Sequence, residues 1–214
     1  MQNWLLKNRV RVLLLFCGVL LPLLVFGAIA EDIWDKETLR PDAPILSWAH
    51  SWANPQIDRW MLTITHVGSP PLMFSMCGLT ALFLWMKKRR GDTIFFLVAT
   101  TGAGLLNLAA KRIFGRARPD LWLSIDPRSD FSFPSGHAMG TMALFAALCV
   151  LAWPTRWRWL AITTSVFVVC AVGLSRVYLG VHFPSDVLGG WLASLSWVLG
   201  LHLIRRMRPR RSES

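Results

Sequence analysis

Acidic residues are scarce in this chain: 12 aspartates and glutamates stand against 23 lysines and arginines. Charged residues of either sign make up only 16% of its 214 residues. So little charge excludes a disordered, charge-solvated chain. Cysteine is sparse as well. The four present, Cys17, Cys77, Cys149 and Cys170, all fall in apolar runs. No two have metal-ligand spacing and none is placed for a disulfide, so buried packing is their expected role. Repeats and low-complexity tracts are missing, and residues 1–214 read as a single domain.

Apolar residues fill the gap: 54% of the chain is hydrophobic, with a mean hydropathy of +0.44. The pattern predicts an all-α integral membrane protein with six spans, over 12–30, 70–86, 93–110, 134–153, 159–177 and 184–204. Each is about long enough for a hydrocarbon core, although the second is short. A signal peptide is the rival reading of the first, since Ala28-Ile29-Ala30 resembles a cleavage site. Between the first two spans, 31–68 is mixed. Ile45, Trp48, Ala49 and Trp52 share one helical face, and Ile57, Trp60, Met61 and Ile64 share another. Two short interfacial helices with tryptophans in the headgroups are expected there, or an entrance for a lipid.

Six spans put both termini on one side. Fourteen of the 23 lysines and arginines fall on that side, so the termini are expected to be cytoplasmic. The basic tail from Arg205 to Arg211 then reads as an orientation signal beside anionic headgroups, with no need of nucleic acid. Most of the 12 tryptophans fall near expected interfaces; Trp191 and Trp197 do not, and read as packing.

The same topology brings three polar clusters to the outer face. In SRVYLGVHFPSD, Ser175 to Asp186, ionisable groups border apolar segments, where they are costly. Pro184 suits a first helical turn, which puts Asp186 four residues after His182. The carboxylate can accept the imidazole N–H and leave the other ring nitrogen free to attack phosphorus. In PSGH, Pro134 at the first helical position leaves amides unpaired, an anion site to which Ser135 adds a donor and Gly136 close approach. Lys111 and Arg118, from the loop after the third span, join Arg176 in balancing phosphate charge. His137 is placed to protonate the leaving oxygen. Taken alone, the first two stretches also read as helix caps. Asp120, Asp126 and Asp130 read as solvated loop residues, and no carboxylate cage for Mg²⁺ is evident. His50, His66 and His202 belong to no cluster.

These residues also carry a resemblance. KRIFGRARP (Lys111 to Pro119), FPSGH (Phe133 to His137) and SRVYLGVHFPSD (Ser175 to Asp186) resemble, in order, the three motifs of the type 2 phosphatidic acid phosphatase superfamily. The motif core covers 111–186, and no motif position departs from the pattern. The resemblance implies removal of phosphate through a phosphohistidine, without metal or other cofactor. His182 would be the nucleophile, Asp186 its partner and His137 the general acid. Lys111, Arg118, Ser135, Gly136 and Arg176 would bind phosphate. The expected protein is a multi-pass lipid phosphatase of the cell inner membrane with its site facing the periplasm. Undecaprenyl diphosphate, phosphatidylglycerol phosphate and phosphatidic acid are its candidate substrates. The rivals are a phosphotransferase using the same phosphohistidine and an anionic-lipid binding or transport protein that does no chemistry.

Overall fold

The computed structural model describes residues 10, 12–36 and 39–207. The basic flanks Lys7, Arg9, Arg11, Arg208, Arg210 and Arg211 lie outside the described residues. Helix is the regular structure throughout, with no strand among the described residues. In chain order the helices are α1 (Val12–Trp34, with a π-helical stretch at Phe16–Leu20), α2 (Asp42–His50), α3 (Pro55–Val67) and α4 (Pro70–Met86). Then follow α5 (Arg90–Phe114), α6 (Gly136–Ala152), α7 (Arg158–Tyr178) and α8 (Pro184–Met207).

Helix α6 is the axis of the bundle. A helix that is apolar on every side belongs inside, and α6 is packed by α5, α7 and α8, with α4 touching it as well. Its buried residues include Ala138, Ala143 and Ala147, and small side chains let neighbouring helices come close. At Gly190 of α8 the backbones come close: a Cβ there would meet the Ser135 carbonyl oxygen at 3.0 Å. Around this centre α1 lies along α8, α4 on α5 and α3 on α7. Trp191 and Trp197 are packing residues, as expected. Trp191 fills the space over Gly173, and Trp197 lies over Gly102 and donates to the Ala99 carbonyl at 3.1 Å. Leu24, Phe74, Leu79, Leu105 and Phe167 point outward and exposed, a sheath that suits hydrocarbon and not water.

Four helices, α1, α5, α7 and α8, are long and apolar enough to cross a membrane. The pair α3–α4, bent by 40°, makes a fifth candidate. Helix α6 has 17 residues. At 1.5 Å per residue it is about 25 Å long, short of a hydrocarbon core of about 30 Å. It is an inner helix sheltered by its neighbours.

The segment between the first two spans differs from its sequence reading. Helix α2 turns Asp42, Leu46 and Ala49 inward, against α7 and the start of α8, and leaves Ile45, Trp48 and the following Trp52 exposed. Helix α3 packs Ile57, Met61 and Leu62 onto Tyr178, Leu179 and Val181, while Trp60 faces out. On α2 the packed face is turned away from Trp48 and Trp52; on α3 Ile57 and Met61 of the expected stripe pack inward, and Trp60 at its edge stays out. The reason is polar: Asp42 and Thr65 have partners inside, described below, which a tryptophan face lacks.

Candidate active site

The site lies where α5 and α7 end and α6 and α8 begin. Helix α7 closes in a Schellman motif. The Gly180 N–H donates to the Val177 carbonyl at 3.0 Å, the Val181 N–H to the Arg176 carbonyl at 3.3 Å, and Gly180 takes φ 68°. Only glycine adopts that conformation cheaply. This reversal brings His182 back beside the helix that carries Arg176. Two residues later α8 starts at Pro184, as the sequence suggests, and Asp186 in its first turn accepts the Phe183 N–H at 2.8 Å.

His182 and Asp186 are both buried, and Asp186 is 0% exposed. His182 Nδ1 lies 3.4 Å from Asp186 Oδ2. The Ser132 hydroxyl also donates to that oxygen. The other ring nitrogen, Nε2, lies 3.1 Å from a terminal nitrogen of Arg118. A guanidinium only donates, so Nε2 is the acceptor and the proton sits on Nδ1, facing the carboxylate. That is the tautomer a nucleophilic Nε2 requires. Burial pushes the His182 imidazole down to about 4, against the pull of Asp186, so it is neutral at pH 7.

Lys111 and Arg118 meet at one carboxylate. Lys111 donates to Asp130 Oδ2 at 2.7 Å and Arg118 to Oδ1 at 2.6 Å. Both also reach backbone carbonyls, Lys111 that of Phe131 and Arg118 that of Val181. Burial alone would raise the Asp130 carboxyl; the two cations outweigh it and hold it well below the usual carboxylate range. Lys111 stands in the last turn of α5 and not in the following loop, because the helix runs on to a left-handed cap at Gly115, φ 57°.

Arg176 is 1% exposed. One of its terminal nitrogens donates to Thr65 Oγ1 at 2.6 Å and to Asp126 Oδ2 at 2.8 Å. Burial raises the Asp126 carboxyl, and its bonds from Arg176 and Arg128 more than reverse that. Asp126 and Asp130 are thus ion-paired, not the solvated loop residues the sequence suggests. Arg118 and Arg128 are partners from the same loop, while Lys111 and Arg176 come from α5 and α7, which no local pattern announces. Asp120 is not among them.

Helix α6 begins at Gly136, two residues after Pro134, with Ser135 as its cap residue. The Ser135 N–H donates to the Asp186 carbonyl at 3.0 Å, which ties the start of α6 to the start of α8. The Ser135 side chain caps nothing. Asn107, one turn before Lys111, holds the Pro134 carbonyl at 2.9 Å. His137 lies within electrostatic reach of Arg176 and His182. Three polar atoms are buried here without a partner: Ser135 Oγ, His137 Nε2 and Arg176 Nε.

All eight residues singled out in the sequence are therefore brought to one end of the bundle. Sequence reasoning missed Asp42, Thr65, Asn107, Arg116 and Ser132. Arg116 bonds both Asp42 and Asp186, at 2.8 and 2.6 Å. For Asp42 a signal existed, because Asp42, Leu46 and Ala49 recur at helical spacing and put a carboxylate on an apolar face.

A helical bundle with a histidine–carboxylate pair beside a cluster of buried cations defines a class of phosphate-handling membrane protein. Residues 92–210 match the PAP2 superfamily, the type 2 phosphatases that the three motifs resemble. The chain belongs to that superfamily, and it is a phosphatase. It is 28% identical over 177 residues to phosphatidylglycerophosphatase B of Bacillus subtilis, covering 80% of this chain and 87% of that one. It is 32% identical over 124 residues to an undecaprenyl-diphosphatase of Sulfolobus acidocaldarius, across 56% of this chain and 57% of the relative. The crystal structure of a transmembrane PAP2-type phosphatidylglycerolphosphate phosphatase from Bacillus subtilis superposes with a TM-score of 0.81 at 25% identity. That match covers 91% of this chain and 99% of the other.

Proposed function

We propose that this chain is a metal-independent lipid phosphatase that works through a phosphohistidine on His182. The observation that carries the reading is the set of unpartnered buried atoms Ser135 Oγ, His137 Nε2 and Arg176 Nε. Leaving such groups unsatisfied is costly, so their retention calls for a ligand. Phosphate oxygens match them, with the free first amides of α6 adding donors.

In the first step the His182 Nε2 lone pair attacks phosphorus and the bond from phosphorus to the lipid oxygen breaks. That oxygen leaves with a proton from His137, whose imidazole takes up its charge beside the bound phosphate dianion. In the second step His137 takes a proton from water, the hydroxide oxygen bonds phosphorus, and the P–N bond electrons return to His182. Asp186 holds the Nδ1 proton throughout. Lys111, Arg118 and Arg176 offset the charge on the transferring group, the main requirement of phosphoryl transfer. The substrate is a phosphomonoester or diphosphate on a lipid headgroup, with its apolar chain left in the bilayer and the site at the outer face.

Phosphate release by purified protein in detergent with EDTA tests this, with undecaprenyl diphosphate, phosphatidylglycerol phosphate and phosphatidic acid compared. Release undiminished by EDTA is expected, and so is release from sealed right-side-out vesicles given substrate outside. Dependence on an added divalent cation would overturn the metal-free mechanism.

Asp130 supplies a second test. Its carboxylate bridges the two cations that a phosphate would use, with its side chain 58% exposed. A substrate anion must compete with it. Asp130→Asn removes the competing charge, and an exposed pair is worth at most about 1 kcal/mol. Inhibition by inorganic phosphate or vanadate is therefore expected to tighten by up to about fivefold. An unchanged or weaker inhibition constant would refute competition.

A further inference from the structure

We infer that Arg116, held by Asp42, is a positioning residue for the Asp186–His182 pair. It fixes where the Asp186 carboxylate points and how strongly that carboxylate holds the Nδ1 proton. The inference rests on the proposed role of His182 as nucleophile.

The geometry is a closed, buried network. One terminal nitrogen of Arg116 donates to Asp186 Oδ1 at 2.6 Å and to Ser185 Oγ at 2.7 Å. The other donates to Asp42 Oδ2 at 2.8 Å. Ser185 closes the ring: its N–H donates to Asp42 Oδ1 at 3.0 Å and its hydroxyl to Oδ2 at 2.6 Å. The guanidinium lies over the Phe183 ring at 4.1 Å, between His182 and Pro184 in the chain. Asp42 is 4% exposed. Three charges are thus withdrawn from water at one place. Such a cluster is weak evidence for stability, because apolar replacements are often as stable. Orientation is the role that its geometry supports.

The two oxygens of Asp186 divide the task. Oδ2 takes the Phe183 N–H and the Ser132 hydroxyl, and faces His182 Nδ1 at 3.4 Å. Oδ1 has Arg116 as its side-chain donor. Without Arg116, Oδ1 is a buried anion in need of a donor, and the carboxylate is free to rotate away from the imidazole. Arg116 also draws charge away from the hold on Nδ1–H, and Asp42 in turn shares Arg116. The other charged groups facing His182 are unaltered by changes here. They are Arg118 and Asp130 from the loop before α6, His137 on α6, Arg176 with Asp126, and Lys111 through Asp186.

Opposite signs follow. Arg116→Met keeps an apolar stem over Phe183 and removes the positive charge. The Nδ1 proton is then held more tightly, and the acid limb of kcat/KM moves to higher pH, by about half to one unit. The kcat falls about ten- to a hundred-fold with KM little changed, since Arg116 binds no ligand. Asp42→Asn removes a negative charge and leaves Arg116 to Asp186 alone, so the limb moves to lower pH. Arg116→Lys restores the limb and only part of kcat, because one ammonium cannot fork between two carboxylates.

The experiment is a pH–rate profile of the three variants and wild type on the preferred lipid phosphate. Beside it, the His182 imidazole is titrated by NMR in detergent and assigned by difference with His182→Asn. The NMR arm reads the inference even where no lipid is hydrolysed, so failure of the phosphatase reading shows separately. Shifts of opposite sign for Arg116→Met and Asp42→Asn support the inference. Wild-type titration in both, or shifts of one sign, overturns it. Where Arg116→Met does not fold, the near-isosteric Asp42→Asn decides: a downward shift supports, and none overturns.

Discussion

Replacing His182 with alanine is expected to lower phosphate release by at least about 10³-fold, the order lost when the nucleophile of a coordinated catalytic unit is removed. A fall in Tm is expected as well, because His182 is buried against Asp186, so release is compared well below the melting temperature of the variant. The nucleophile has no substitute. Nothing in the remaining cluster presents a neutral, oriented nitrogen beside Arg118, since His137 belongs to the leaving-group side of the proposed reaction. A pH profile adds a second signature. Burial holds His182 at about 4, below the ordinary histidine value. A lowered value means that the imidazole stays unprotonated and nucleophilic as pH falls through 6 and 5. The acid limb of kcat/KM is therefore expected near 4, with activity lost below it. Release by His182→Ala within about tenfold of wild type would sink the assignment.

The second large effect is expected at Arg176. It is the largest fully buried side chain by residue volume, and it joins α7 to Thr65 of α3 and to Asp126 of the loop before α6. Arg176→Ala leaves a cavity and takes one partner from Asp126. Breaking a buried pair costs about 3–5 kcal/mol, and the lower end applies because Asp126 keeps Arg128. A drop of several degrees in Tm is expected, together with loss of activity. Arg176→Lys separates the two roles. It keeps a charge for Asp126 but loses the fork and the unpartnered Nε donor. Most of the stability should return and most of the activity should not. Thermal unfolding in detergent and phosphate release measure both. Wild-type activity in Arg176→Lys would show that Nε meets no phosphate.

What the sequence determined by itself was local in physical origin. Apolar runs long enough for a bilayer are helices because backbone groups in lipid must be paired within the segment. The helices at 70–86 and 184–207 start at Pro70 and Pro184, because proline suits a first turn. The step from Arg176 through Gly180 and Pro184 to Asp186 was legible for the same reason: a helix stop and a helix start leave little freedom in between. His182 and Asp186 therefore meet as their spacing says. The ends of α5 and α6 were less legible, since one turn of helix more or less leaves the apolar pattern unchanged. That is why Lys111 stands on a helix and Pro134 before one.

Only the tertiary structure decided which charge meets which. Asp42 and Asp186 are 144 residues apart and are joined by Arg116; Asp126 reaches Arg176 across 50 residues, and Asp130 reaches Lys111 across 19. Periodicity ranks faces by apolarity, so on α2 it favoured the tryptophan stripe. A buried carboxylate with three donors was a better reason to turn Asp42 inward. Partners of this kind are set by where helices end in space, and separation along the chain carries no record of it.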